Sequence, residues 1–114
     1  MTSVRDPADL AQGQLDAYNT QDLERFCAFY AADVVVADFN GAVTTQGIDA
    51  YRARYAKLFA EFPQNRVVLL GRMIVGNVVM DHERVHRSPD GAPFEVIAIY
   101  TVRDGKIARV DFAR

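Results

Sequence analysis

The chain has 114 residues, 15 acidic against 13 basic side chains, a net charge of −2 and a single cysteine. This length suits one domain whose folding removes about two-thirds of the extended chain's surface from water, enough for one core without staples. Half the residues are hydrophobic and a quarter charged, which excludes a disordered chain. One cysteine excludes an internal disulfide and a cysteine-based zinc site. The near-neutral balance gives no pull toward nucleic acid or anionic membrane. No apolar run approaches ~18 residues, so no membrane span is expected. The stretch from Met1 to Pro7 carries no hydrophobic leader, which makes the cytoplasm the default compartment.

Asp6 and Pro7 read as a helix start, the first as cap and the second at the position where a missing N–H costs nothing. Leu10, Gln14, Ala17 and Tyr18 continue at helical spacing. The polar run Asn19-Thr20-Gln21-Asp22 breaks the pattern. Leu23, Phe26, Cys27 and Tyr30 predict a second helix that Asp33 ends. The β-branched run from Val34 to Phe39 predicts a strand, and Asn40-Gly41 a turn. Ile48, Tyr51, Tyr55, Leu58, Phe59 and Phe62 form a helical stripe stopped by Pro63. Thereafter the period is two: strands over 66–75, 78–87, 94–103 and 106–112, joined at Gly76-Asn77, Ser88-Pro89-Asp90-Gly91 and Asp104-Gly105.

Three helices and at least five strands, four of them joined by hairpin-length turns, predict a single α+β domain. Its helices cover one face of a curved, mostly antiparallel sheet. Such a sheet wrapped over a long helix leaves a concave hollow suited to a small ligand.

The segment from Tyr18 to Leu23, followed by Phe29-Tyr30-Ala31-Ala32-Asp33-Val34-Val35-Val36, resembles the opening of the nuclear transport factor 2-like superfamily. That superfamily includes ketosteroid isomerase and the SnoaL-like polyketide cyclases. Gly47, Ile48, Tyr51 and Tyr55 are similar to its third helix, and the run from Tyr100 to Ile107 to its late hairpin. The resemblance covers nearly the whole chain. It implies a cone of three helices wrapped by a strongly bent sheet, usually paired as a homodimer. The superfamily holds both enzymes and binding proteins, so function has to be read from the pocket.

Asp38 ends an apolar strand, with the parity of Val34 and Val36. The resemblance puts it where ketosteroid isomerase keeps its proton-moving carboxylate. In an apolar hollow its pKa would rise toward that of a useful base; the plainer role is support of the Asn40-Gly41 turn. Tyr55 matches the supporting tyrosine. Gln14 stands in place of the isomerase's tyrosine donor and Ala98 in place of its protonated acid, so the oxyanion support of steroid isomerisation is missing. Val78, Met80, His82, Arg84 and His86 share one strand face, which the resemblance turns into the cone. There His82 is either a proton shuttle or a structural histidine, and Arg84 either neutralises an acidic ligand or pairs with Asp38.

The expected catalytic set is therefore Asp38, His82 and Tyr55. Gln14, Tyr18, Phe59, Met80, Arg84, Phe94, Ala98, Tyr100 and Phe112 are the expected ligand-binding positions. His82-Glu83-Arg84-Val85-His86 matches the H-E-x-x-H zinc pattern, but that chemistry needs a helix. On a strand the two histidines lie about 13 Å apart, too far for one metal; no metal and no cofactor are expected. Cys27 reads as core, and Arg52, Arg54 and Lys57 as a solvated helix face. Two functions fit: a pocket enzyme moving a proton on a small apolar or carbonyl-bearing molecule, or a non-catalytic binding module of the same shape. A homodimer is expected through Ile97, Ile99, Val85 and the stem of Arg109 on the sheet face away from the helices.

Overall fold

The computed structural model describes residues 6–114; the leader reading falls largely on the residues before these. Asp6 caps α1 (Pro7–Asn19), its carboxylate accepting from the Ala8 N–H at 2.9 Å. The helix buries Leu10, Ala11, Gln14, Leu15, Ala17 and Tyr18 on one side, as the spacing predicts. Asp22 caps α2 (Leu23–Ala28) by accepting from the Arg25 N–H. This helix is shorter than its apolar stripe predicts, because Tyr30 already belongs to β1 (Tyr30–Asp38). The Phe29 carbonyl accepts from the Ile107 N–H, and Tyr30 pairs with Ile107 in the sheet. A ladder bond to a distant strand here overrides local helical periodicity.

A short strand absent from the sequence reading, β2 (Val43–Gln46), leads to α3 (Ile48–Glu61), which buries Tyr51, Tyr55 and Phe59. Strands β3 (Arg66–Val75), β4 (Val78–His86), β5 (Phe94–Arg103) and β6 (Lys106–Ala113) follow. The six strands form one sheet in the order β2-β1-β6-β5-β4-β3. Every pairing is antiparallel except β1 with β6. This is the expected α+β cone: three helices against one face of a mixed, mostly antiparallel sheet. The core between them is aromatic. Phe26 packs against Tyr18, Tyr30, Tyr51, Tyr55 and Phe59 with ring centroids 4.8–6.0 Å apart, within the range where ring pairs add to plain burial.

Asn40 and Asp104 adopt positive φ in the tight turns, at 56° and 53°, as Asn and Asp tolerate better than most residues. Gly13 is required for a different reason. A Cβ built there would stand 2.5 Å from the Phe29 ring, so the bare backbone of α1 lets that ring seat. Gly13→Ala should therefore destabilise the fold by about 1–2 kcal/mol, although alanine is the better helix former by about 1 kcal/mol. A urea midpoint equal to or above wild type would show that the ring moves aside at no cost.

No helix among the described residues is long and apolar enough to cross a membrane. His82 and His86 lie on β4, so the H-E-x-x-H spacing does not bring them together. Among the described residues no cluster of three or more His, Cys, Asp or Glu could hold a metal.

Candidate active site

A cavity of about 330 Å³ opens between α1, α3 and the concave face of the sheet. Its deep end is aromatic and polar at once. Gln14 from α1, Tyr30 from β1, Glu83 from β4 and Tyr100 from β5 all line it, and all four are buried. They form one hydrogen-bonded chain. The Tyr30 hydroxyl donates to Gln14 Oε1 at 2.7 Å, Gln14 Nε2 donates to the Tyr100 hydroxyl at 3.1 Å, and that hydroxyl donates to Glu83 Oε2 at 3.5 Å. The last contact is long for an O–H···O bond.

Glu83 is therefore a carboxyl with 5% of its surface exposed and one weak donor. Burial first, and the neighbouring Asp81 charge second, raise its pKa from 4.5 to about 7, against the opposing effects of Tyr100 and Arg72. Asp81 is wholly buried on the same strand face and is held by Arg72 through both oxygens, Nε to Oδ1 at 2.7 Å and Nη2 to Oδ2 at 3.0 Å. Arg72 also donates to Gln12 Oε1 at 3.0 Å. Burial pushes the hydroxyls of Tyr30, Tyr51, Tyr55 and Tyr100 up, so all four stay protonated donors in the physiological range.

The catalytic set expected from sequence does not meet at this cavity. Tyr55 lines it. Asp38 is exposed and stands outside the cavity lining, although it keeps its expected parity: β1 pairs with β6 in continuous register from Val35 to Asp38, Val36 opposite Val110 and Asp38 opposite Phe112, and the slip against β2 puts its extra residue, Thr44, on β2. Asp38 instead closes the Asn40-Gly41 turn, its backbone N–H donating to the Ala42 carbonyl and its carbonyl accepting from the Gly41 N–H at 2.8 Å.

His82 points away from the cavity as well. The inward face of β4 is Val79, Asp81, Glu83 and Val85, all buried, rather than the face of Val78, Met80, His82 and Arg84. His82 Nε2 meets Glu95 Oε1 at 2.6 Å and Arg84 Nη2 meets Glu95 Oε2 at 3.3 Å, all three side chains nearly half exposed. Such a cluster contributes little to stability, and Arg84 does not pair with Asp38.

Of the expected ligand-binding positions, Gln14, Tyr18, Phe94, Tyr100 and Phe112 line the cavity. Phe59 is buried behind the wall against Tyr18 and Tyr55. Ala98 is buried on the inward face of β5, away from the cavity lining, and Met80 lies on the outer face. Arg54 and Lys57, expected on a solvated helix face, reach the cavity mouth, while Arg52 pairs with Glu24. Cys27 is core, and burial pushes its thiol up, away from nucleophilic character.

Glu83 escaped the sequence reading for a definite reason. Each face of β4 carries two apolar residues, so alternation alone leaves the phase open. The signal lies in the next strand: Val96, Ala98, Tyr100 and Val102 form an unbroken apolar face. Directly paired residues share a face, and Glu83 pairs with Val96, Asp81 with Ala98 and Val79 with Tyr100.

Comparison with solved structures places the architecture. An uncharacterised cystatin-fold protein from Novosphingobium aromaticivorans is 31% identical, superposes with a TM-score of 0.89 and matches over 96% of this chain and 99% of its own. A protein from Sinorhizobium meliloti described as a candidate polyketide cyclase is 24% identical, with a TM-score of 0.78 over 95% of this chain and 99% of its own. One from Kribbella flavida described as a candidate ketosteroid isomerase is 18% identical, with a TM-score of 0.79 over 94% of this chain and 76% of its own. No curated protein matches the chain significantly. The family model of the SnoaL-like domain matches residues 11–110; the chain belongs to the SnoaL-like domain family.

Proposed function

We propose that the protein is a pocket enzyme that moves a proton on a small, largely apolar, carbonyl-bearing molecule, with Glu83 as the general base and acid. One observation carries this reading: a buried carboxyl titrating near 7 lines a cavity walled by phenols. A base is most effective when its pKa lies near the working pH. Burial without a strong donor is what brings Glu83 there. In the first half of the reaction the Glu83 carboxylate takes the proton α to the carbonyl. The electron pair of that C–H bond forms a C=C bond as the carbonyl π pair moves onto oxygen, giving an enolate and a protonated Glu83. Tyr100, whose hydroxyl can turn from its long contact with Glu83, and Tyr55 are suited to donate to the enolate oxygen. Return of the proton from Glu83 to the same or a conjugated carbon completes an isomerisation; attack of the enolate carbon on a second carbonyl, whose oxygen then takes the proton from Glu83, completes a cyclisation. Candidate cyclases and isomerases among the structural neighbours are consistent with either outcome. Steroid isomerisation lies outside the proposal, since Ala98 supplies no acid.

The test uses 2-tetralone, an apolar ketone with acidic α-hydrogens. Incorporation of deuterium from D₂O at those carbons, followed by NMR, should be accelerated by the protein and not by its Glu83→Gln variant. Equal exchange with both proteins would remove Glu83 from the role. Binding of ketones without any accelerated exchange would leave the cavity as a binding module.

We further propose a homodimer through the outer face of the sheet. Met73, Met80 and Ile99 are directly paired across three strands, as are Val75 and Val78. Met73 and Val75 are 65% and 81% exposed, and contiguous apolar surface of this kind marks an interface. Val85, expected on this face, belongs to the cavity wall instead. Light scattering at micromolar concentration should give twice the chain mass, and Met80→Glu should halve it; a monomeric wild type would end the proposal.

A further inference from the structure

Arg54 and Arg87 stand at the cavity mouth, and neither meets a carboxylate among the described residues. Arg54 Nη1 donates to Thr45 Oγ1 at 3.0 Å and Thr44 Oγ1 at 3.5 Å. Arg87 Nη1 donates to the Tyr18 hydroxyl at 2.9 Å and Asn65 Oδ1 at 3.2 Å. Each guanidinium also rests on a ring, Arg54 at 5.5 Å from the Tyr55 centroid and Arg87 at 5.3 Å from that of Phe94. Both positive charges act on the Tyr55 hydroxyl against the effect of its burial, so they converge on one wall.

In both side chains Nη1 makes the hydrogen bonds to the described residues. The Nε–Nη2 edge meets no protein acceptor among the described residues. That edge is the one Arg72 uses to grip both oxygens of Asp81, and it matches a carboxylate in width and planarity. Elsewhere Arg52, Arg72, Arg84, Arg103 and Arg109 each meet an aspartate or glutamate. Lys57 and Arg114 add positive charge to the cavity lining beside Arg54 and Arg87, against Glu61 as the one exposed acid of that lining. This cationic mouth sits on a chain of net charge −2.

We infer that the cavity takes an anion: an apolar or aromatic body carrying one carboxylate, gripped at the mouth by Arg54 and Arg87, with the carbonyl end directed toward Glu83. The acid Glu83 at the deep end sets that orientation by repelling the carboxylate from it. The inference rests on this cavity being the site of the proposed proton transfer, but its test is separate.

The probes are 2-naphthylacetate and its neutral isostere 2-naphthylacetamide, titrated into the protein by calorimetry at low ionic strength. The carboxylate should bind about tenfold or more tighter than the amide, and added salt should narrow the gap. Arg54→Gln and Arg87→Gln should each weaken the carboxylate about five- to tenfold and leave the amide unchanged. Amide binding thus also reports that the variants fold, and Arg54, whose hydrogen bonds go to two threonine hydroxyls on β2, is the gentler substitution. Glu83→Gln should keep the carboxylate preference, so loss of proton transfer and loss of anion binding are read independently. Equal affinity for the two probes, binding of neither at millimolar concentration, or a preference that survives the double variant would overturn the inference.

Discussion

Replacing Glu83 by glutamine should abolish proton transfer and, at pH 8, stabilise the protein. The two effects have one origin. Glu83 is buried with a single long hydrogen bond, and its pKa rises from 4.5 to about 7, first through burial and then through Asp81. The folded state holds this proton more tightly than the unfolded state. Below the unfolded pKa the carboxyl is neutral in both states and costs nothing. As pH rises from about 4.5 through 7 the unfolded chain releases the proton first, and folding stability falls, by roughly 3 kcal/mol for a shift of this size. Glutamine keeps the shape without the ionisation, so the variant should gain about 1–3 kcal/mol at pH 8 and nothing at pH 4. On the catalytic side, loss of a general base should slow α-proton exchange by about 10²–10⁴-fold. The wild-type rate should rise with pH through a midpoint near 7. Asp38→Asn is the companion measurement: an exposed turn residue should leave both rate and stability nearly unchanged. A Glu83→Gln protein no more stable at pH 8 than at pH 4, relative to wild type, would mean that water reaches the carboxyl and keeps its pKa ordinary.

Arg72→Leu should cost about 3–5 kcal/mol, the largest stability loss expected of any polar substitution in this chain. Asp81 has no exposed surface, and Arg72 is its bidentate partner. Removing one member of a buried pair leaves an uncompensated charge in a poorly solvated place. The double variant Arg72→Leu with Asp81→Leu should recover most of the loss, since apolar residues replace such pairs at little cost. Arg72 also holds the Glu83 pKa down, so in the single variant the midpoint of the exchange reaction should move to higher pH. Urea denaturation of the two variants at pH 7, with the pH profile of the single one, checks both statements. A single variant as stable as wild type would show that Asp81 finds another donor or takes up a proton without strain.

Apart from β2 and the end of α2, the elements were legible from the chain because their causes are local. Asp6-Pro7, Asn40-Gly41, Pro63 and Asp104-Gly105 punctuate the chain by their own backbone preferences. The α3 stripe and the hairpin strands carry their periods in adjacent residues. The family resemblance puts Gln14 and Tyr55 at the cavity, and they and Tyr100 sit on elements whose buried side is apolar enough to have only one phase. Asp38 and Glu83 could not be assigned that way. Asp38 has the inward parity of Val34 and Val36 but stands where β1 ends and turns back toward β2, a strand of four residues with no strong signal of its own, so it stays in water. Glu83 faces inward because β4 is paired with β5, whose apolar face allows one phase only. Carboxylates at those two positions look alike in sequence. One is left in water at a turn and the other is taken out of it, and only contacts between strands distant along the chain decide which carboxyl is buried.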